Sequence, residues 1–153
     1  MRLAYAAVMP EAQKAMRRLQ EVVEGSGLEH KLLELVKVRA SQLNGCAYCL
    51  DMHTKDAIAI GEDPQRLNVL AAWREAPFYD ARERAALAWC ESLTLLPDTG
   101  APDTTYEEVA AEFSQRELVA LTTAIVAING WNRFAVGFRT KVGSYISRRT
   151  PAG

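Results

Sequence analysis

The chain has 153 residues, 49% hydrophobic and 24% charged, which suits one soluble globular domain able to bury a core. Its 18 basic and 19 acidic residues are well mixed and leave a net charge of −1, so neither nucleic acid nor a membrane surface is an expected partner. Three cysteines are too few for a secreted disulfide scaffold, and no stretch approaches the roughly 20 apolar residues of a membrane span, so a cytoplasmic, reducing location is expected.

The apolar run at residues 3–9 has a faint likeness to a signal peptide. Pro10 ends it and an amphipathic helical pattern follows directly, so it is read as part of the fold. Pro10 sits where the first turn of a helix tolerates it, and Gly25-Ser26-Gly27 stops that helix. A second helix spans about residues 28–43 and halts at Asn44-Gly45; a third begins near Cys46 and ends at Gly61. Asp63, with Pro64 behind it, caps a fourth, and Asp80 caps a fifth that reaches about Leu95. The segment PDTGAP at 97–102 reads as a loop. Thr104 with Glu107, and Ser114 with Glu117, have capping-box spacing and open the last helices. No β-branched run alternates, and no repeat is visible. The expected fold is all-α, with about seven helices in a single domain over residues 1–153 that assembles into a homo-oligomer.

Residues 44–53, NGCAYCLDMH, carry the chemistry of interest. At 100° per residue from Cys46, Cys49, Leu50, His53, Ala57 and Ile60 share an arc about 100° wide, the width of a core-facing stripe. Tyr48, Asp51 and Lys55 fall on the other side. Three readings follow. Two small thiols and a histidine can simply fill a core. Alternatively, C-x-x-C-x-x-x-H offers three zinc ligands, but a closed structural site needs four and no second knuckle is present; His30 or Cys90 would have to complete it. In the redox reading, unpaired backbone N–H groups at the helix start favour a thiolate, the second cysteine can close a disulfide, and His53 stands one turn beyond Cys49 to take its proton.

The stretch ELVKVRASQLNGCAYCLDMHTKDAIAIGE, residues 34–62, resembles the alkyl hydroperoxidase D (AhpD)-like branch of the carboxymuconolactone decarboxylase superfamily. The shared motif is a glutamate, a C-x-x-C twelve residues on, and a histidine four past the second cysteine, met here by Glu34, Cys46, Cys49 and His53. INGWNRFAV at 128–136 is similar to a late-helix stretch of many relatives. The resemblance implies a helical fold forming a homotrimer or homohexamer, and thiol-dependent reduction of hydroperoxides. It implies Cys49 as the attacking thiol, Cys46 as the resolving thiol, His53 as the acceptor of the Cys49 proton and Glu34 as the group that orients His53. No cofactor is implied beyond a Cys46–Cys49 disulfide. A dithiol protein, lipoylated or thioredoxin-like, is the implied reductant. Where the best-studied AhpD sites have a second histidine between the cysteines, this chain has Tyr48, which the helical wheel turns away from the thiols. A lactone decarboxylase is an alternative, although the true decarboxylases generally do without the C-x-x-C; a non-catalytic redox-sensing or metal-binding oligomer is another.

By residue pattern alone Glu34 lies opposite the apolar face formed by Leu32, Leu35, Val36 and Leu43, which predicts a solvated glutamate; only the resemblance brings it to the site. Cys90 reads as core filler. Asn129 and Asn132 share an apolar stripe with Leu118, Leu121, Ile125 and Val136, so both amides are expected to be buried, hydrogen-bonded and structural. Trp73, Trp89 and Trp131 are expected as core or interface anchors, His30 as exposed, and Arg148 and Arg149 as part of a frayed tail.

Overall fold

The computed structural model describes residues 1–150, and among them the regular structure is entirely helical. The longer helices are α2 (Pro10–Glu24), α3 (His30–Leu43), α4 (Ala47–Ala59), α5 (Pro64–Val69), α6 (Ala81–Thr94), α8 (Asp103–Glu112) and α9 (Gln115–Phe138). Single turns form α1 (Tyr5–Val8) and α7 (Leu96–Thr99), and a 3₁₀ turn, Leu70–Ala72, follows α5. None of the described helices is long and apolar enough to cross a membrane.

Several boundaries have the local cause expected of them. Asp63 accepts from the Gln65 N–H, and Asp80 with Glu83 and Ser114 with Glu117 form complete capping boxes. Two details differ. Thr104 lies inside α8, whose cap is Pro102 with no side-chain hydrogen bond; the proline fixes an extended backbone and the helix starts directly behind it. The stretch at 97–102 is not all loop, because Pro97 sits in the first turn of α7 and Gly100, at φ 65°, ends that turn.

The helix α3 is the axis of the fold, packed against α4, α6 and α9. Leu33, Val36 and Ala40 enter one core cluster, while Leu35 and Val38 enter another on the far side. A helix covered on every side has no wet face. Glu34 and Lys37 are therefore buried with it, each 2% exposed. The wheel-based expectation of a solvated Glu34 is thus overturned, because it assumed that one face of this helix meets water.

The turn between α3 and α4 is a Schellman motif. Gly45, at φ 61°, donates to the Gln42 carbonyl, and the Cys46 N–H donates to the Ser41 carbonyl at 3.0 Å. Cys46 is at once the residue closing this motif and the N-cap of α4. Beyond α9, Arg139 adopts a left-handed backbone at φ 54° and the chain reverses. Residues 140–150 then run along α4 as a strap: Gly143 N–H donates to Asp51, Lys55 Nζ donates to the Tyr145 carbonyl, and Tyr145 and Ser147 hydroxyls donate to Asp56.

Candidate functional site

The N-cap position gives Cys46 its character. Its backbone is extended, at φ −89° and ψ 90°, so its sulfur turns back over the first turn of α4 and accepts the Cys49 N–H at 3.4 Å. Cys49 lies one turn in, and both thiols are reduced and 1% exposed. The Cys46 thiol is lowered to about 7: the hydrogen bond from the Cys49 thiol is the largest cause, opposed by burial and assisted by the backbone donors. Cys49 is pushed up, first because its thiol is the donor to Cys46 and then because it is buried. The first proton to leave the pair therefore comes from Cys46, while Cys49 keeps its own.

Deeper in the same region Glu34 holds two partners. Its Oε1 accepts from Lys37 Nζ at 2.9 Å, and its Oε2 lies 2.8 Å from His53 Nδ1. Burial alone would raise the Glu34 carboxyl, but the His53 hydrogen bond and charge and the Lys37 ammonium outweigh it and hold the group at about 2. An ionised carboxylate only accepts, so Nδ1 carries a hydrogen and Nε2 is the nitrogen left free of Glu34. His53 is four residues beyond Cys49 on α4, on the same side of the helix.

Cys49, His53 and Asp56 line a cavity of about 450 Å³ together with Tyr5, Tyr48 and Tyr145. Tyr48 is a correction to the wheel, which placed it away from the thiols. Cys46 is non-helical, so the wheel's origin was displaced, and α1 and the strap raise a second wall on that flank. Arg149 is another correction. Rather than fraying, its guanidinium lies 2.7 Å from Glu24 and 3.9 Å from Glu34 Oε1, while Arg148 remains exposed. A larger groove of about 720 Å³ between α6 and α8 contains no thiol.

Glu34, His53 and Asp56 offer ligand atoms all within 4.8 Å of one another. No cysteine belongs to that cluster, so the C-x-x-C-x-x-x-H zinc reading has no geometric counterpart in it. The cluster also suits a cation poorly, since Lys37 and Arg149 already face Glu34 and two hydroxyls occupy Asp56. Sequence reasoning missed Asp56, Tyr145 and Arg149. Asp56 had a legible signal, an acidic residue three positions after His53 on the edge of the apolar arc.

The remaining expectations fall out simply. Cys90 is fully buried, its thiol donates to the Val36 carbonyl at 3.4 Å, and burial pushes it to about 12, as suits core filler. Trp73 and Trp89 are buried, Trp131 is half-buried against the cavity, and His30 is exposed. Asn132 is buried, whereas Asn129 is only half-buried; both are hydrogen-bonded.

Residues 10–92, more than half the chain, match the carboxymuconolactone decarboxylase family. The chain belongs to that family. An uncharacterised protein of Bacillus subtilis, YdfG, is 38% identical over 143 residues, which are 94% of this chain and 97% of that protein. A solved structure from Agrobacterium tumefaciens, of unknown function and proposed as the antioxidant defence protein AhpD, is 47% identical. It superposes with a TM-score of 0.91 over 94% of this chain and 99% of that one. A peroxidase-related protein from Silicibacter shares the fold at 24% identity, with a TM-score of 0.77 over 88% of this chain and 71% of that one. Family membership and the AhpD-like fold therefore agree with the resemblance read from residues 34–62.

Proposed function

We propose that this protein is an oxidoreductase that reduces hydroperoxides through the Cys46–Cys49 dithiol. The observation that carries the reading is the buried Glu34–His53 hydrogen bond, which ties up Nδ1 and leaves Nε2 to act in the cavity that His53 and Cys49 both line. Glu34 orients His53, and His53 or the Cys46 thiolate takes the Cys49 proton as Cys49 attacks. The Cys49 thiolate displaces the distal peroxide oxygen: an S–O bond forms, the O–O bond breaks, and the alkoxide gains a proton to leave as alcohol. Sulfur has then been oxidised by two electrons to a sulfenic acid. The Cys46 sulfur attacks it, a disulfide forms and water leaves. A dithiol protein, lipoylated or thioredoxin-like, returns the two electrons by exchange.

The cavity supports an uncharged substrate. Its cations Arg17, Lys37 and Arg149 are matched by Glu21, Glu24 and Asp56, and Tyr5, Met52 and Trp131 add apolar wall. A polyanionic lactone has no surplus positive charge to meet there.

The test is thiol titration with mass spectrometry before and after one equivalent of an alkyl hydroperoxide. Wild type is expected to lose two thiols to a Cys46–Cys49 disulfide. Cys46→Ser is expected to accumulate sulfenic acid, and Cys49→Ser to consume little peroxide. Unchanged thiols in wild type would overturn the reading.

A further inference from the structure

A lysine seldom lies inside a fold, yet Lys37 of α3 is 2% exposed. Its Nζ donates to Glu34 Oε1 at 2.9 Å, one turn earlier on the same helix, and no other acceptor holds it among the described residues. Stability alone does not call for such a pair, because apolar side chains of similar size usually hold a core as well as a buried ion pair does. Its placement suggests another role, since Lys37 lines the same cavity as Cys49 and His53. The Glu34 carboxylate gives one oxygen to each neighbour, Oε1 to Lys37 and Oε2 to His53 Nδ1 at 2.8 Å. Ammonium, carboxylate and imidazole thus stand in one buried row, and the first two charges cancel before the ring is counted. Without the ammonium the carboxylate would be an unbalanced charge out of water, and the readiest balance is a proton, taken up by either the carboxylate or the ring.

We propose that Lys37 is a positioning residue of the thiol centre: by holding Glu34 Oε1 with a hydrogen bond and a counter-charge, it keeps a further proton off the Glu34–His53 pair and so leaves His53 Nε2 to receive the proton of Cys49. The hydrogen bond also fixes the rotation of the carboxylate, so that Oε2 stays directed at Nδ1. Lys37 touches neither sulfur in the hydrogen-bonded sense and acts only through Glu34. Its role deepens the dithiol reading and rests on it.

Other titratable and charged groups reach the pair from several elements. The helix α1 brings Tyr5, and α2 brings Arg17, Glu21 and Glu24. On α4 stand Tyr48, Cys49 and Asp56, and on the strap Tyr145 and Arg149. The α9 residues of the cavity, Trp131 and Ala135, do not titrate, and α6 adds none to it. Two of these groups act at short range. Asp56 opposes Lys37, since its carboxylate lies within 4.8 Å of ligand atoms of Glu34 and His53, although the Tyr145 and Ser147 hydroxyls already donate to it. Arg149 acts with Lys37, but its guanidinium is 3.9 Å from Glu34 Oε1, bonded to Glu24 and 30% exposed. Lys37 is closer, at 2.9 Å, and its side chain is only 3% exposed, so it is the stronger of the two cations.

The experiment follows the His53 ring by NMR against pH in wild type, Lys37→Met, Lys37→Arg and Leu35→Ala. The chain has two histidines, so His30→Gln assigns the signal. Loss of the neighbouring cation is expected to raise the proton-uptake midpoint read at His53 by about one to two pH units in Lys37→Met. Lys37→Arg keeps the charge and is expected to hold the midpoint near that of wild type. Leu35→Ala empties part of the other core cluster on the same helix, so it is expected to lower thermal stability and leave the midpoint in place. An unmoved midpoint in folded Lys37→Met overturns the proposal, as do equal shifts in Lys37→Met and Leu35→Ala or no rescue by Lys37→Arg. Should Lys37→Met not fold, the ammonium nitrogen resonance of Lys37 in wild type decides the matter. It is expected to shift over the same pH range as the His53 ring, and a pH-independent signal overturns the proposal. No peroxide is used. Thiols that stay unchanged with hydroperoxide, alongside a raised midpoint in Lys37→Met, would reject the peroxidase reading and retain the effect of Lys37 on the Glu34–His53 pair.

Discussion

Glu34 offers the sharpest perturbation, because its two partners have opposite fates when it changes. In Glu34→Gln the amide can still face His53, but Lys37, only 3% exposed along its side chain, loses its counter-charge. The magnitude follows from the carboxyl itself. Its value in the fold, about 2 against an ordinary 4.5, corresponds to roughly 3 kcal/mol of stability. That agrees with the loss of about 3–5 kcal/mol expected when one partner of a buried pair is removed. For a domain of this size the thermal midpoint is expected to fall by about 6–12 °C at pH 7. The pH dependence has a definite sign. A carboxyl held below its ordinary value contributes fully above about pH 4.5, and the contribution disappears as pH falls toward 2. Wild type should therefore approach Glu34→Gln in stability across that window. The assay is thermal and urea denaturation by circular dichroism between pH 7 and pH 3. A double variant, Glu34→Gln with Lys37→Met, is expected to recover part of the loss, since the stranded ammonium is gone. A midpoint for Glu34→Gln within about 2 °C of wild type at neutral pH, or an undiminished acid slope, would refute the reasoning.

Cys90 is expected to resist iodoacetamide at pH 8 in the folded protein and to react fully in denaturant, read by peptide mass; native modification would show that its environment opens. Asp56→Asn weakens the anchor that Tyr145 and Ser147 use. Limited proteolysis within residues 140–150 is expected to speed up several-fold, together with faster alkylation of Cys49, because an ionised acceptor is worth about twice a neutral one. An unchanged cleavage rate would mean the strap is held by its other contacts.

How much of this was written in the chain depends on range. The helix caps at Asp63, Asp80 and Ser114, the Asn44-Gly45 stop and the register of Cys49 with His53 involve neighbours within a few residues, and local chemistry decides them. The cysteine pair at a helix start was legible for the same reason. Glu34 was not legible from its own helix, because a wheel cannot say that α4, α6 and α9 together leave α3 without a wet face. Tyr48 was misplaced for the related reason that a cavity has walls from several elements, and a wheel describes one. Asp56 met Tyr145 across 89 positions of chain, and Asn44 met Asn132 across 88, separations at which no sequence period carries information. The sequence by itself determined which groups would be chemically competent, since side-chain type and local backbone set that. Only the tertiary structure decided which of them share a proton, a charge or a cavity wall, because burial and hydrogen-bond partners are properties of packed elements rather than of any one of them.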